Sequence, residues 1–232
     1  MTITLDSPWL EFDLGREMQV LSWAPHGAGY RQAHRLLWRQ VRNADLPEDL
    51  DVNAWLQGEL AARDALDAVV MLTSRDLRAH HLARASVAGV EVTALATVGL
   101  SNAERVGHRV DRSGRDWNRD LTQEMQTRRL GTINIGLRID APLSQTGLLE
   151  ALSIATEART AAIMEAGHVL PDLSGLATGT GTDCIAVAAP AGADDYAGLH
   201  TSVGQAIGQA VLQAVREGAR DWQASIGQIS GG

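Results

Sequence analysis

The sequence predicts an α+β fold, a single domain in which long Ala/Gly-rich helices cover a mixed, largely antiparallel sheet. Three observations carry that prediction. Strand-like and helix-like segments are interleaved, and several of the connections are short enough to be hairpins. Two long segments carry apolar residues at helical spacing among many Ala and Gly residues. No linker-like stretch divides the 232 residues, so 1–232 reads as one unit.

Each element follows from local pattern. Met18–Trp23 alternates as a strand and ends in the turn Ala24–Gly29. The spacing of Tyr30, Ala33, Leu37 and Val41, with Arg31, Arg35, Arg39 and Arg42 largely on the other side, predicts a helix over 30–41. Asp51 or Asn53 caps a second helix through Trp55, Leu56 and Leu60. Ala68–Thr73 is a short buried strand, after which His80 and His81 read as surface. Val87–Leu100 is a strand pair, or one strand with a bulge at Gly89. From Glu104 to Arg129 the chain alternates Arg with polar residues, a solvated excursion whose arginines 105, 109, 112, 115 and 119 face water. Thr132–Asp140 returns to strand alternation. Ser144 caps a helix running to Ala166, with Gly167 as its stop. Cys184–Ala189 is a buried strand, and 191–196 a turn. Ser202 and Gln205 stand at capping-box spacing before a stripe of Val203, Ile207, Val211, Val215 and Trp222. Gly204 and Gly208 in that last helix permit close packing.

Bulk composition excludes several functions. A net charge of −8 argues against a nucleic-acid surface. All 20 basic residues are arginine, which removes a P-loop lysine, a Schiff-base lysine and a Ser–Lys dyad together. The 7 histidines form no His-x-x-x-His pair and there is 1 cysteine, so no metal centre is expected. That single cysteine and the absence of an export signal point to the cytoplasm, with no membrane association.

Chemistry concentrates in Ala177-Thr-Gly-Thr-Gly-Thr-Asp183, where three threonines alternate with two glycines ahead of an acid and a buried strand. Hydroxyls and amide hydrogens of such a loop can converge on an anion or a polarised carbonyl. A tight turn is the plain alternative. Ser101 and Asn102 stand at a glycine turn, and Asn134 opens a strand; the two carboxamides are candidate oxyanion donors. Glu157 has no cation on its own helix face, so burial would make it a general acid or base; a solvated carboxylate is the alternative. His200 sits where a helix N-terminus would keep an imidazole neutral. Cys184, inside an apolar run, reads as core.

Taken in order, Gly99-Leu-Ser-Asn-Ala103, Gly131-Thr-Ile-Asn-Ile135, Thr156-Glu-Ala-Arg-Thr-Ala-Ala162, Ala177–Asp183 and Tyr196-Ala-Gly-Leu-His-Thr201 resemble the adenosylcobinamide amidohydrolase family. The similarity runs from roughly residue 20 to 215, with Arg159 standing where a lysine is expected and Leu199 where a threonine is. The resemblance implies hydrolysis of the amide that joins aminopropanol to a corrin propionate. The products would be adenosylcobyric acid and 1-amino-2-propanol, in corrinoid salvage for cobamide synthesis. It also implies a corrinoid small molecule as partner and no cofactor, the cobalt belonging to the substrate. Glu157, Asp183 and His200 are then the candidate catalytic residues, and Ser101, Asn102, Asn134, Thr178, Thr180 and Thr182 the candidate binding residues. Either one of the three proton carriers activates water, or Ser101, Thr180 or Thr182 forms an acyl-enzyme. The lack of a Gly-x-Ser-x-Gly elbow favours water. A non-catalytic corrinoid-binding or uptake-associated protein is the alternative function, and a homo-oligomer is left open. The shared site requires Ser101, Asn102, Asn134, residues 178–183 and His200 to line one cavity.

Overall fold

The computed structural model describes residues 1–42, 45, 47, 50–108, 131–170 and 175–227. Its strands are β1 (Thr2–Asp6), β2 (Trp9–Ser22), β3 (Gly29–Gln40), β4 (Val69–Thr73), β5 (His80–Val87), β6 (Val90–Thr97), β7 (Ala103–Glu104), β8 (Asn134–Ile139), β9 (Gly179–Thr180) and β10 (Cys184–Ala189). Its helices are α1 (Val52–Ala62), α2 (Gln145–Glu165) and α3 (Ser202–Gly227). Eight strands form one sheet in the order β4-β3-β2-β10-β8-β6-β5, with β1 on β2. The β3–β4 and β8–β10 pairs are parallel and the others antiparallel, so the sheet is mixed and largely antiparallel, as the sequence predicts.

One face of this sheet carries Val92, Ala94, Ile135, Leu137, Ile185 and Val187, which join the apolar stripes of α2 and α3 in one core. The period of two along β6, β8 and β10 sends alternate residues to the other face. There Ala186 and Ala188 meet Leu10, Phe12, Leu36, Trp38 and Met71. The sheet therefore curls until its β2-β3-β4 half lies against the inner face of β8 and β10. Gly136 marks the contact: a side chain there would sit 2.6 Å from Trp38 Cη2 and 2.9 Å from Leu36 Cδ1.

Helices α2 and α3 run parallel. At their N-terminal ends the Ala197 amide donates to Glu150 at 2.6 Å, and at their C-terminal ends Gln223 reaches the Ala166 carbonyl at 3.0 Å. The Ser144 hydroxyl caps α2 by accepting from the Gly147 amide, and Gly167 follows its C-cap with φ of +67°. Asp51 caps α1, accepting from the Asn53 and Ala54 amides.

Several expectations are overturned. The helix expected over 30–41 is replaced by the strand β3, Gly29–Gln40. Leu36, Leu37 and Trp38 are all buried because both faces of that strand are covered, one by the inner core and the other by α1. Pairing on both edges of the strand overrides the chance helical spacing. Arg39 does not face water; it lies between the Trp9 and Trp55 rings and pairs with Glu59 at 2.8 Å. The strand at 18–23 begins at Trp9. His80–Val87 is a strand, joined to β6 by a hairpin whose corners Ala88 and Gly89 both have positive φ, so Gly89 marks a turn and not a bulge. His81 is accordingly half-buried, 3.6 Å from Asp221. The cap of α3 is Thr201, whose hydroxyl accepts from the Gly204 amide at 2.9 Å, not Ser202. Arginines 109, 112, 115 and 119 lie outside the described residues; Arg105 is half-buried and donates to the Leu176 carbonyl at 3.1 Å.

Candidate active site

The Gly/Thr loop closes the end of the sheet where β10 and β8 begin and β6 finishes. β7 and β9 pair across it, holding Ala103 against Thr180. The Gly181 amide donates to the Asn102 carbonyl at 3.0 Å, and the Asn102 carboxamide donates to the Thr182 hydroxyl at 3.2 Å. The Thr132 hydroxyl lies 3.3 Å from that of Thr180, 3.2 Å from that of Thr182, and donates to the Thr182 carbonyl at 2.8 Å. Ser101 accepts from the Gly131 amide at 2.6 Å, fixing the approach of the two segments. Ser101, Asn102, Thr180 and Thr182 thus form one polar rim. Thr178 lies deeper and holds the Val106 amide at 2.7 Å.

Beneath the rim sits Asp183, its side chain 8% exposed. Its two oxygens accept from the Thr180 amide at 3.0 Å, the Ile133 amide at 3.3 Å, the Thr180 hydroxyl and the Arg159 guanidinium. A carboxylate has about four acceptor positions, so this one is full. Arg159 projects from the edge of the buried alanine face of α2, and burial pushes its guanidinium below the ordinary arginine pKa. Gly179 admits it, since a side chain there would collide with the Arg159 guanidinium. Sequence reasoning missed this pair. The available signal was that Arg159 is the one cation of α2 and stands beside Ala155, Ala158 and Ala162, a position where a charge needs a partner.

The remaining candidates are elsewhere. Asn134 is fully buried on the inner face, and its carboxamide donates to the Leu72 carbonyl at 2.7 Å, tying β8 to β4. Glu157 is not buried; it lies on the exposed side of α2 with Ser153 and Ala161. With a helical repeat of 100° per residue, it points away from Arg159. His200 is exposed in the turn before α3, beside the first turns of α2. The whole length of β10, roughly 20 Å at strand rise, separates that turn from the loop. The expected single cavity is therefore not formed: the structure gathers Ser101, Asn102, Thr180, Thr182 and Asp183, and leaves out Asn134, Glu157 and His200.

Burial pushes the Cys184 thiol up to about 11, as a packed residue on the inner face requires. Among the described residues no three His, Cys, Asp or Glu side chains converge as metal ligands would, and no helix is long and apolar enough to cross a membrane.

A second residue that the sequence reading did not assign to the site borders the loop. Trp23, 47% exposed, donates its indole N–H to the Asp183 carbonyl at 2.7 Å.

A family model described as adenosylcobinamide amidohydrolase matches residues 2–227. The crystal structure of the PH0078 protein from Pyrococcus horikoshii OT3 is similar at 11% identity and a TM-score of 0.45, with 93% of this chain and 77% of that chain covered. Comparison with curated proteins gives no match.

Proposed function

The chain belongs to the adenosylcobinamide amidohydrolase family, whose activity serves corrinoid salvage, and on that premise we propose that it cleaves adenosylcobinamide to adenosylcobyric acid and 1-amino-2-propanol. The single observation that carries this reading is the family match, which runs over residues 2–227. The rim supports it in kind. Asn102, Thr180, Thr182 and Ser101 are neutral donors and acceptors, suited to a substrate edged with amides rather than to an anion.

Of the three candidate proton carriers, Asp183 is the one at the loop. Its acceptor positions are full, which leaves no direct seat for a water but does include the Thr180 hydroxyl. This arrangement supports the covalent route through Thr180 over direct activation of water. Thr180 Oγ1 attacks the amide carbon, its proton passes to Asp183 and then to the leaving amine, and the C–N bond breaks. Water then hydrolyses the resulting ester, returning the threonine. Arg159 holds Asp183 in position, and the Asn102 carboxamide, which spends one N–H on the Thr182 hydroxyl, has a second N–H to donate to the oxygen that gains charge. No cofactor takes part, the cobalt being carried by the substrate.

The test is incubation of the pure protein with adenosylcobinamide, followed by assay for free aminopropanol and for the corrinoid acid. Release of both supports the reading. Corrinoid binding without release makes the protein a non-catalytic corrinoid carrier. A corrinoid-sized adduct trapped on the protein in a single turnover, and absent from Thr180→Ala, distinguishes the covalent route from direct water attack.

A further inference from the structure

We propose that Trp23 is the platform on which the flat face of a conjugated macrocycle rests while one of its side-chain amides enters the Gly/Thr loop; this rests on the corrinoid reading of that loop. Four described tryptophans are mostly covered: Trp9, Trp38 and Trp222 are buried and Trp55 is half-buried. Trp23 is the exception among the five described tryptophans, and its exposure is built rather than accidental. Its neighbours Ser22 and Ala24 are buried. The Ser22 hydroxyl donates to the Ile185 carbonyl at 2.8 Å and accepts from the Ala24 amide at 3.1 Å, clamping the backbone on both sides of the ring.

The indole has one polar atom, and that atom is engaged by the Asp183 carbonyl. What remains to offer a ligand is an apolar, polarisable face, held at fixed orientation beside the loop. Gly181 and Thr182, just before Asp183, are exposed. A polar edge for an amide and a planar apolar surface thus stand side by side, joined through one residue. A planar ring system carrying amides on short side chains matches both at once: the ring covers the indole while a propionyl arm reaches the rim. A small linear amide would use the rim and leave Trp23 uncovered.

The experiment compares wild type with Trp23→Ala and Trp23→Phe, measuring kcat and KM for adenosylcobinamide and Kd for cobinamide by quenching of tryptophan fluorescence. Aromatic stacking lost on truncation predicts that W23A raises KM and Kd by about 5- to 150-fold. Turnover at saturation should stay within about threefold, because the Asp183 side chain keeps its bonds to the Thr180 and Ile133 amides and to Arg159. W23F, which keeps a ring but not the N–H, should lie within about fivefold of wild type in Kd while losing part of the quenching. An active wild type whose KM and Kd are unchanged in W23A overturns the platform and leaves the hydrolase reading intact. A fall in kcat with KM unchanged also overturns it, since Trp23 would then act only by bracing Asp183. A wild type that binds cobinamide without cleaving it overturns the hydrolase reading, and the two Kd values still decide the platform. If wild type neither binds nor cleaves, both proposals fail. Should W23A not fold, W23F and Trp23→Leu give the same comparison of flat against non-flat side chains.

Discussion

Asn134 shows how one residue type serves two purposes and how burial decides between them. Its amide N–H2 donates to the Leu72 carbonyl, while its buried oxygen has no partner among the described residues. Asn134→Ala should cost about 1–3 kcal/mol in a urea melt, the usual penalty for orphaning a buried hydrogen-bonding group. Turnover per folded molecule should be unchanged. A loss of about 100-fold or more in kcat, the scale of a missing oxyanion donor, would return Asn134 to the site. His168 supplies a pH dependence. It meets the Trp222 ring edge-on at 5.3 Å, and burial lowers its pKa from the ordinary 6.5. The unfolded chain therefore takes up the proton first as pH falls. Stability is full above about 6.5 and declines below it, until the folded protein is protonated as well. Urea midpoints between pH 8 and 5 should fall more steeply for wild type than for His168→Gln.

At the scale of elements, the caps of the two long helices separate what sequence could and could not place. Ser144 and the stop at Gly167 were legible because each lies next to an unambiguous apolar pattern, whereas at the shorter α1 the sequence offered Asp51 and Asn53 alike and the Asp51 side chain makes the cap. At α3, two hydroxyl residues stand side by side, and only the path of the chain from Gly198 decides that Thr201 accepts the Gly204 amide. Thr201→Ala should lower stability by about 1 kcal/mol, and Ser202→Ala by much less; equal losses in thermal melts would make the assignment wrong. The strand β3 was misread for a related reason. Helical spacing at Tyr30, Ala33, Leu37 and Val41 is a statement about one face, whereas three consecutive buried residues at 36–38 reflect cover on both. The Gly/Thr loop was legible from its own composition. Its ion pair was not, since Arg159 and Asp183 come from elements whose proximity depends on the fold. The same applies to His200: the motif is local, but its distance from the loop is set by β10.

For the whole molecule, the mixed sheet and its helical cover were visible in the alternation of patterns, but its curl was not. That curl depends on a glycine facing a tryptophan from a strand nearly a hundred residues earlier. Gly136→Ala should cost about 1–3 kcal/mol through overpacking against Trp38. Trp38→Leu in the same chain should recover part of that loss, a non-additivity that a double-mutant cycle would measure. The order of strands has a consequence for how the protein is made. One half of the sheet, β1 to β4, and the other, β5, β6 and β8, are complete in sequence by Ile139, yet they are joined edge to edge only by β10. A nascent chain emerging from its N-terminus therefore carries two unfinished half-sheets. The β2 edge that faces β10 and the neighbouring edge of β8 stay open until Ala189 has appeared. Such late, distant pairing implies slow closure, on the millisecond-to-second scale of high contact-order domains, and a period in synthesis when the open edges must be kept from pairing with other chains.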